Sequence, residues 1–344
     1  MAAGERTVIL AEGFSGDPHY GKTMRGVLRY RRGDVVVIVD SRRAGETEAG
    51  VPIVADVDSA LSFGPEVAIV GVATQGGRFP PAWRAILRRS IDAGLSIENG
   101  LHEMLGDDLE LRLLADVAGV ELRDLRRPPP RLDVATGANL EVDAQIVLTV
   151  GSDCAIGKMT VSLELDRVAR ERGHPSVFVP TGQTGIAIAG WGIAVDEVIS
   201  DFVAGAAERL VVEGHERGGD GAILWIEGQG SLNHPFYSGV TLGLLHGSAP
   251  HALVFVHEPG RETIDGDARY PIPGIAELID DQVRMARHVR RAPVVAVALK
   301  TNRLDEDAAR AAIAEVERET ALVADDPVRF GAGRLLDAVL SARG

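Results

Sequence analysis

Residues 146–172 read as one strand, turn and helix built around a lysine. Ile146-Val147-Leu148-Thr149-Val150 is an unbroken apolar β run, GSDCAIGKMT follows at 151–160, and Met159 to Arg172 has helical spacing. A strand that is apolar on both faces must be covered on both faces, which calls for a parallel sheet between helices. Gly151 and Gly157 bound the turn, and Lys158 stands in the first turn of the helix. Such a turn gathers backbone N–H groups, a positive helix end and an ammonium around a phosphate. The chain has only three lysines, Lys22, Lys158 and Lys300, although lysine and arginine together number 36. Arginine carries the basic surface, so a lysine in a glycine-bounded turn stands out.

A length of 344 residues predicts roughly two domains. A hydrophobic fraction of 45% supplies their cores, and a net charge of −14 argues against nucleic acid as a partner. Cys154 is the only cysteine, which excludes an intramolecular disulfide and suits a reducing cytoplasm. The opening MAAGERTVIL has no basic segment followed by an apolar one. No apolar run approaches the ~20 residues that span a bilayer. A cytoplasmic protein with small-molecule partners and no membrane partner is expected.

The first part alternates strand and helix signals: Thr7–Ala11, Val35–Val39, Val67–Val72 and Leu95–Ile97 as strands, Thr23–Arg32 and Pro81–Ala93 as helices. This predicts a Rossmann-like domain over residues 1–125. Arg126-Arg127-Pro128-Pro129-Pro130 breaks the pattern, since serial prolines continue neither a helix nor a central strand, and 126–140 reads as a linker. Residues 141–344 are α/β again. Strands are expected at Ile146–Val150, Ser176–Val179, Ala222–Ile226, Ala252–Val256, Val294–Leu299 and Ala321–Val323. Helices are expected at Lys158–Arg172, Val198–Arg217, Val240–His246, Ile275–Arg291, Glu306–Glu319 and Gly333–Ser341. Polar, glycine-rich sequence follows nearly every strand, which places ligands at the carboxyl ends of the sheet.

The turn departs from the Walker pattern GxxxxGK[ST]. Five residues separate Gly151 from Gly157, and Met159 replaces the Mg²⁺-binding hydroxyl, with Thr160 one position later. GSDCAIGKM resembles the long loop G-T-D-T-x-x-G-K-T of the dethiobiotin synthetase group, matching at Gly151, Asp153, Gly157 and Lys158. The resemblance implies a P-loop NTPase-like domain with a mostly parallel sheet. Ala222–Ile226 followed by Glu227-Gly228-Gln229-Gly230 resembles the E-G-x-G segment of that group, whose glutamate helps hold Mg²⁺; a carboxylate bonded to loop N–H groups is the alternative for Glu227. Gly16 to Thr23 also fits the Walker expression, but Pro18 removes an N–H from that cradle, and eight-residue patterns recur by chance.

Two further loops carry polar side chains. Pro180-Thr181-Gly182-Gln183-Thr184-Gly185 reads as a glycine-rich loop running to Gly192, with Gln183 and Thr184 as neutral hydrogen-bonding groups. Glu227 to Pro235 brings together Gln229, Ser231, Asn233 and His234, a composition typical of a binding site. His234 is a candidate for proton transfer because an unperturbed imidazole titrates near neutrality. His246 reads as a helix C-terminal residue. Asp40 meets a ribose hydroxyl or caps a turn. Cys154 sits where a helix end lowers a thiol pKa, and is otherwise a small loop filler.

GSDCAIGKMT, TGQTGIAIAGWG with DFVAGAAE, EGQGSLNHP with GVTLGLLHGS, IVDSRRAG and the stretch around Gly100–Glu103 together resemble one family across essentially the whole chain. It was long a domain of unknown function, and a member is known as a D-glutamate N-acetyltransferase that uses acetyl-CoA. The resemblance implies acetyl transfer from acetyl-CoA to the amine of D-glutamate in D-amino acid catabolism. The donor would lie on Gly151, Ser152, Asp153, Cys154, Ala155, Ile156, Gly157, Lys158, Met159 and Thr160, with Asn302 touching the adenine. Glu227 or His234 would be the base, with Lys158 completing the catalytic set. Loop N–H groups of 228–230 would face the oxyanion. Gln183, Thr184, Gln229, Ser231 and Asn233 would contact substrate, and Arg261 or Arg269 its carboxylates. No metal is expected on this reading. The alternatives are an ATP- and Mg²⁺-dependent ligase, with Glu227, Asp153 and Thr160 at the metal, or a nucleotide-binding regulatory protein. A homo-oligomer is expected in either case.

Overall fold

The computed structural model describes residues 4–17 and 19–342; Pro18 lies outside the described residues. The chain forms two compact units, one of residues 1–128 with 183–194 and one of 129–182 with 195–344.

The first unit is a seven-stranded sheet in the order β3-β4-β2-β1-β5-β6-β7. Its strands are β1 (Thr7–Leu10), β2 (Val35–Val39), β3 (Thr47–Glu48), β4 (Val51–Val54), β5 (Val67–Val70), β6 (Ser96–Asn99) and β7 (Leu122–Asp124). All neighbours pair in parallel except β3 with β4. Helices α1 (Lys22–Tyr30), α2 (Val57–Leu61), α3 (Trp83–Asp92) and α4 (Leu109–Ala118) alternate with them. β1 and β5 are buried at every position, as continuous apolar strands between helix layers must be.

The second unit is a six-stranded, wholly parallel sheet in the order β13-β12-β11-β8-β10-β9. In chain order it has β8 (Ala144–Gly151), α5 (Lys158–Glu171), β9 (Ser176–Val179), then, after the excursion that carries α6 (Gln183–Ala189) into the first unit, α7 (Val203–Gly218), β10 (Ala222–Ile226), α8 (Ser238–Ser248), β11 (Ala252–His257), α9 (Ile275–Ala286), β12 (Val294–Leu299), α10 (Glu306–Thr320), β13 (Val323–Asp325) and α11 (Gly333–Ser341). All eight residues of β8 are buried. The strand order reverses direction at β8, so the loops after β8, β10, β9, β11 and β12 open at one end of the sheet, where open α/β sheets bind ligands.

The units depart from the sequence partition in two places. Residues 183–194 belong to the first unit, and 183–189, expected as part of a glycine-rich loop of the second domain, form α6 there. Ala187 is fully buried in that unit's core, the Arg31 guanidinium donates to Ala187 O at 2.6 Å, and Thr23 Oγ1 lies 3.0 Å from Thr184 Oγ1. Residues 129–140, expected as linker, belong to the second unit. Glu208 accepts from Thr136 N and Oγ1, and Asn139 Nδ2 donates to Gly247 O at 2.7 Å. Proline prevents regular structure there but not packing. The last strand runs Val323–Asp325 rather than from Ala321, because Ala321 adopts a left-handed φ of 55° as the C-cap of α10.

No described helix is long and apolar enough to cross a membrane. Trp225, in the middle of β10, is fully buried and donates from Nε1 to Ser176 Oγ at 2.8 Å. Trp225→Ala should cost the second unit about 3–5 kcal/mol in urea unfolding; a loss below about 1 kcal/mol would show that this strand is not the centre of the core.

Candidate functional site

The turn after β8 is fixed from below. A Cβ at Gly151 would stand 2.5 Å from Val256 O, so only glycine lets the turn leave beside β11. Ser152 N donates to Val256 O at 3.1 Å, and Ser152 Oγ lies 3.0 Å from His257 Nδ1. The Ile156 side chain is buried in the apolar core with Val161 and Leu165 of α5. It anchors the turn and contributes only its backbone to any ligand. Ala155 (φ 55°) and Gly157 (φ 100°) take left-handed conformations, the first at a steric cost of roughly 1–2 kcal/mol. Among the described residues, the N–H groups of 155–160 meet no acceptor. They open a fourteen-residue helix, α5. Met159 and Thr160 are half-buried in its first turn.

Two buried ionisable groups stand beside this turn. Lys158 is 6% exposed, and its Nζ donates to Asp153 O at 2.6 Å. Burial pushes its pKa down to about 8, partly offset by Cys154, Asp153 and Glu227. Glu227 follows β10 and is 4% exposed. Burial raises its carboxyl to about 7, against the pull of the Thr181 and Gly182 N–H groups. Both amides donate to Oε2, at 3.0 and 3.2 Å. Among the described residues, Oε1 has a single long contact, 3.3 Å, from Gln229 Nε2. The reading of Glu227 as a carboxylate bonded to loop N–H groups is what the structure shows on Oε2. A Cβ at Gly228 would fall 1.7 Å from Thr149 O and 2.9 Å from Lys158 Cδ, so glycine here brings the two loops together.

Most of the polar cluster after Glu227 braces the turn. Ser231 Oγ donates to Gly151 O at 2.7 Å and pairs closely with Asn233 Oδ1. Asn233 Nδ2 donates to Ser152 O at 2.9 Å. Thr241 Oγ1 donates to Gln229 O at 2.8 Å. Gly228 N donates to Thr149 Oγ1 at 2.9 Å, which removes it from the donors expected at an oxyanion. The N–H groups of Gln229 and Gly230 meet no acceptor among the described residues.

Asp153 is the hub on the other side of the turn. It takes Arg261 NH1 at 2.7 Å, Asp265 N at 2.8 Å and Cys154 N at 2.7 Å. His234 is fully buried. Its Nδ1 accepts from Phe236 N at 3.3 Å, while Nε2, 3.9 Å from Asp153 Oδ1, has no hydrogen-bond partner among the described residues. A neutral ring that accepts at Nδ1 carries its proton on Nε2. Ligand atoms of Asp153, Cys154 and His234 lie within 4.8 Å of one another. The carboxylate, however, is already served by a guanidinium and two amides. The Cys154 thiol does not follow the helix-end expectation: burial pushes it up to about 11.

The remaining candidates lie on other elements. Gln183 and Thr184 fold into the first unit, Thr184 with its hydroxyl against Thr23. Asn302 is exposed. Arg261 is spent on Asp153 and Glu258, and Arg269, 80% exposed, on Asp267. His246 sits in the last turn of α8 with Nε2 3.0 Å from Met285 O. Asp40 caps the turn that follows it, accepting from Arg42 N, and also holds Gly13 N and Ser15 N. Asp17 takes His19 N and Tyr20 N, so the Walker-like stretch at 16–23 spends amides internally. Sequence reasoning passed over Thr149, Thr181, His257 and Glu258. Glu258 carries the signal that singled out Glu227, an acid closing an apolar strand.

Residues 133–336 match the family model described as the P-loop domain of a domain of unknown function, DUF1611, and residues 40–128 match its Rossmann-like N-terminal domain. Two similar proteins are named D-glutamate N-acetyltransferase. One, from Tritonibacter scottomollicae, is 38% identical over 284 residues, 82% of this chain and 84% of its own. The other, from Pseudoalteromonas sp., is 35% identical over 273 residues, 79% and 80% of the two chains. The crystal structure of a DUF1611 family protein from Anabaena variabilis is similar with a TM-score of 0.92 at 41% identity, covering 98% of this chain and 99% of that one.

A thiol raised to about 11 is almost wholly protonated at pH 8. Cys154 should therefore react with a disulfide reagent on the order of a hundred-fold more slowly than free cysteine, whose pKa is about 8.5. Labelling as fast as free cysteine would contradict the burial of this turn.

Proposed function

The chain belongs to the DUF1611 family, and from that premise we propose that it is a D-glutamate N-acetyltransferase, drawing the acetyl group from acetyl-CoA in D-amino acid catabolism. The observation that carries the chemistry is the placement of Glu227, a buried carboxyl near neutral pKa, beside a lysine-bearing phosphate turn. The turn suits a CoA pyrophosphate: the N–H groups of 155–160 are open, Lys158 adds an amine, and Met159 stands where a metal-binding hydroxyl would. Acetyl-CoA supplies an acetyl group activated as a thioester.

The chain's own residues supply the rest. D-glutamate enters as an ammonium, which must lose a proton before its nitrogen can attack. Glu227 takes that proton on Oε1, the oxygen without a backbone donor. The amine nitrogen then attacks the thioester carbonyl; as the N–C bond forms and the C–S bond breaks, the nitrogen gives up its second proton, so that one proton ends on the leaving sulfur and the other passes to solvent. His234 is a poorer base, because its one acceptor nitrogen holds Phe236 N. It serves instead as a buried N–H donor at Nε2. The N–H groups of Gln229 and Gly230 are the donors left for a developing oxyanion, an effect worth roughly 3 kcal/mol per donor where geometry is good.

Thiol release from acetyl-CoA tests this reading directly, with D-glutamate as acceptor, L-glutamate as control, EDTA present and ATP absent. Release that depends on D-glutamate is expected. Silence in EDTA, relieved only by ATP with Mg²⁺, would overturn it in favour of a ligase. Glu227→Gln should lower kcat by about 10²–10⁴, and Lys158→Ala should weaken CoA binding. Unchanged CoA affinity in that variant would remove Lys158 from the site.

A further inference from the structure

β11 ends at His257, and the next residue, Glu258, is 2% exposed. Cations from two stretches of chain converge on its carboxylate. Arg261 NH2 lies 2.5 Å from Oε2, Lys300 Nζ 3.4 Å from Oε2 and Arg303 Nε 3.4 Å from Oε1. Acetyl transfer as described above uses neither Glu258, Lys300 nor Arg303.

The three cations are held unequally. Arg261 is locked, with NH1 also on Asp153 Oδ2 and Cys154 O. Among the described residues, Lys300 has only long contacts, to Glu258 and, at 3.3 Å, to Ala155 O. Arg303 is 76% exposed, and Glu258 Oε1 has no true hydrogen-bond partner among the described residues despite its burial. The backbone that carries both side chains is nonetheless anchored. Thr301 N and Oγ1 donate to Asp326 Oδ2 at 2.9 and 2.6 Å, and Arg329 NH2 donates to Leu304 O at 2.8 Å. Rigid backbone thus presents two loosely bonded cations at the edge of the phosphate turn, Lys300 in contact with Ala155 of that turn.

We infer that Lys300 and Arg303 form a second phosphate subsite, which takes the terminal 3′-phosphate monoester on the ribose of CoA, with Glu258 as the positioning residue that holds both cations at the rim. The inference rests on the acetyl-CoA reading. The turn's amides and Lys158 already suit the pyrophosphate, so the subsite falls to the one phosphate group of CoA that remains. A monoester carries close to two negative charges at neutral pH, more than Glu258 offers, and an ammonium and a guanidinium are suited to such a group. Arg303, largely in solvent, fits the end of the ligand away from the reacting thioester.

Calorimetric titration of the full chain with CoA and with 3′-dephospho-CoA tests this. The wild-type protein should bind CoA about ten-fold more tightly, a difference of about 1.4 kcal/mol. The double variant Lys300→Ala/Arg303→Ala should bind both ligands with the affinity the wild type shows for dephospho-CoA, which also confirms that it is folded. Equal wild-type affinities, or a variant that loses both ligands alike, would overturn the subsite. Failure of both ligands to bind the wild type would overturn the acetyl-CoA reading itself, and the subsite with it.

Discussion

The second unit depends on one buried carboxylate. Glu227 closes β10 and accepts the Thr181 and Gly182 amides that follow β9, while Thr181 Oγ1 donates back to Glu227 O at 2.6 Å. The two strand ends are thereby locked in one geometry. Without the carboxylate, two buried amides would lose their acceptor, at about 1–3 kcal/mol each. The same burial raises the group to about 7, so the residue that ties the two loops also titrates near neutrality. Gly182 and Gly228 are the complement of this arrangement. A Cβ at the first would meet the Gln229 side chain at 2.5 Å, and at the second the backbone of β8.

Around that tie, the polar residues divide the work. Ser231 and Asn233 hold the carbonyls of Gly151 and Ser152 and so fix the start of the turn. Asp153 spends its charge on Arg261, which steadies the segment after β11. The consequence is a turn whose donors are organised by the fold before any ligand arrives, as the proposed phosphate site requires.

Much of this was legible in the sequence, for physical reasons. Continuous apolar runs such as Val35–Val39 and Val294–Leu299 form strands with those bounds, because a doubly covered parallel strand is apolar throughout. β4 was missed: Val51–Val54 is short and contains Pro52. α4 was missed as well, since Leu109, Leu113 and Val117 are exposed and blur its apolar stripe. α6 was read as a loop because of its glycines, whereas Gly185 is buried inside the helix. At the site, residue types singled out a segment but not the contact each side chain makes. Whether a serine or asparagine faces a ligand or a carbonyl depends on where the chain returns, as Ser231 and Asn233 show. At Cys154 the helix end suggests a lowered thiol pKa, yet desolvation outweighs the pull of Lys158 and Arg261.

The central claim is that Glu227 and Lys158 share one dry site with their titrations drawn toward neutrality, and the pH dependence of kcat/KM measures this most directly. Glu227 acts deprotonated, so the rate should rise through about pH 7, where its buried carboxyl ionises. Lys158 acts protonated, so the rate should fall above about pH 8 as its ammonium is lost. The account predicts this bell, with the acid limb gone in Glu227→Gln. A wild-type limb near pH 4.5, or one that persists in the variant, would contradict it.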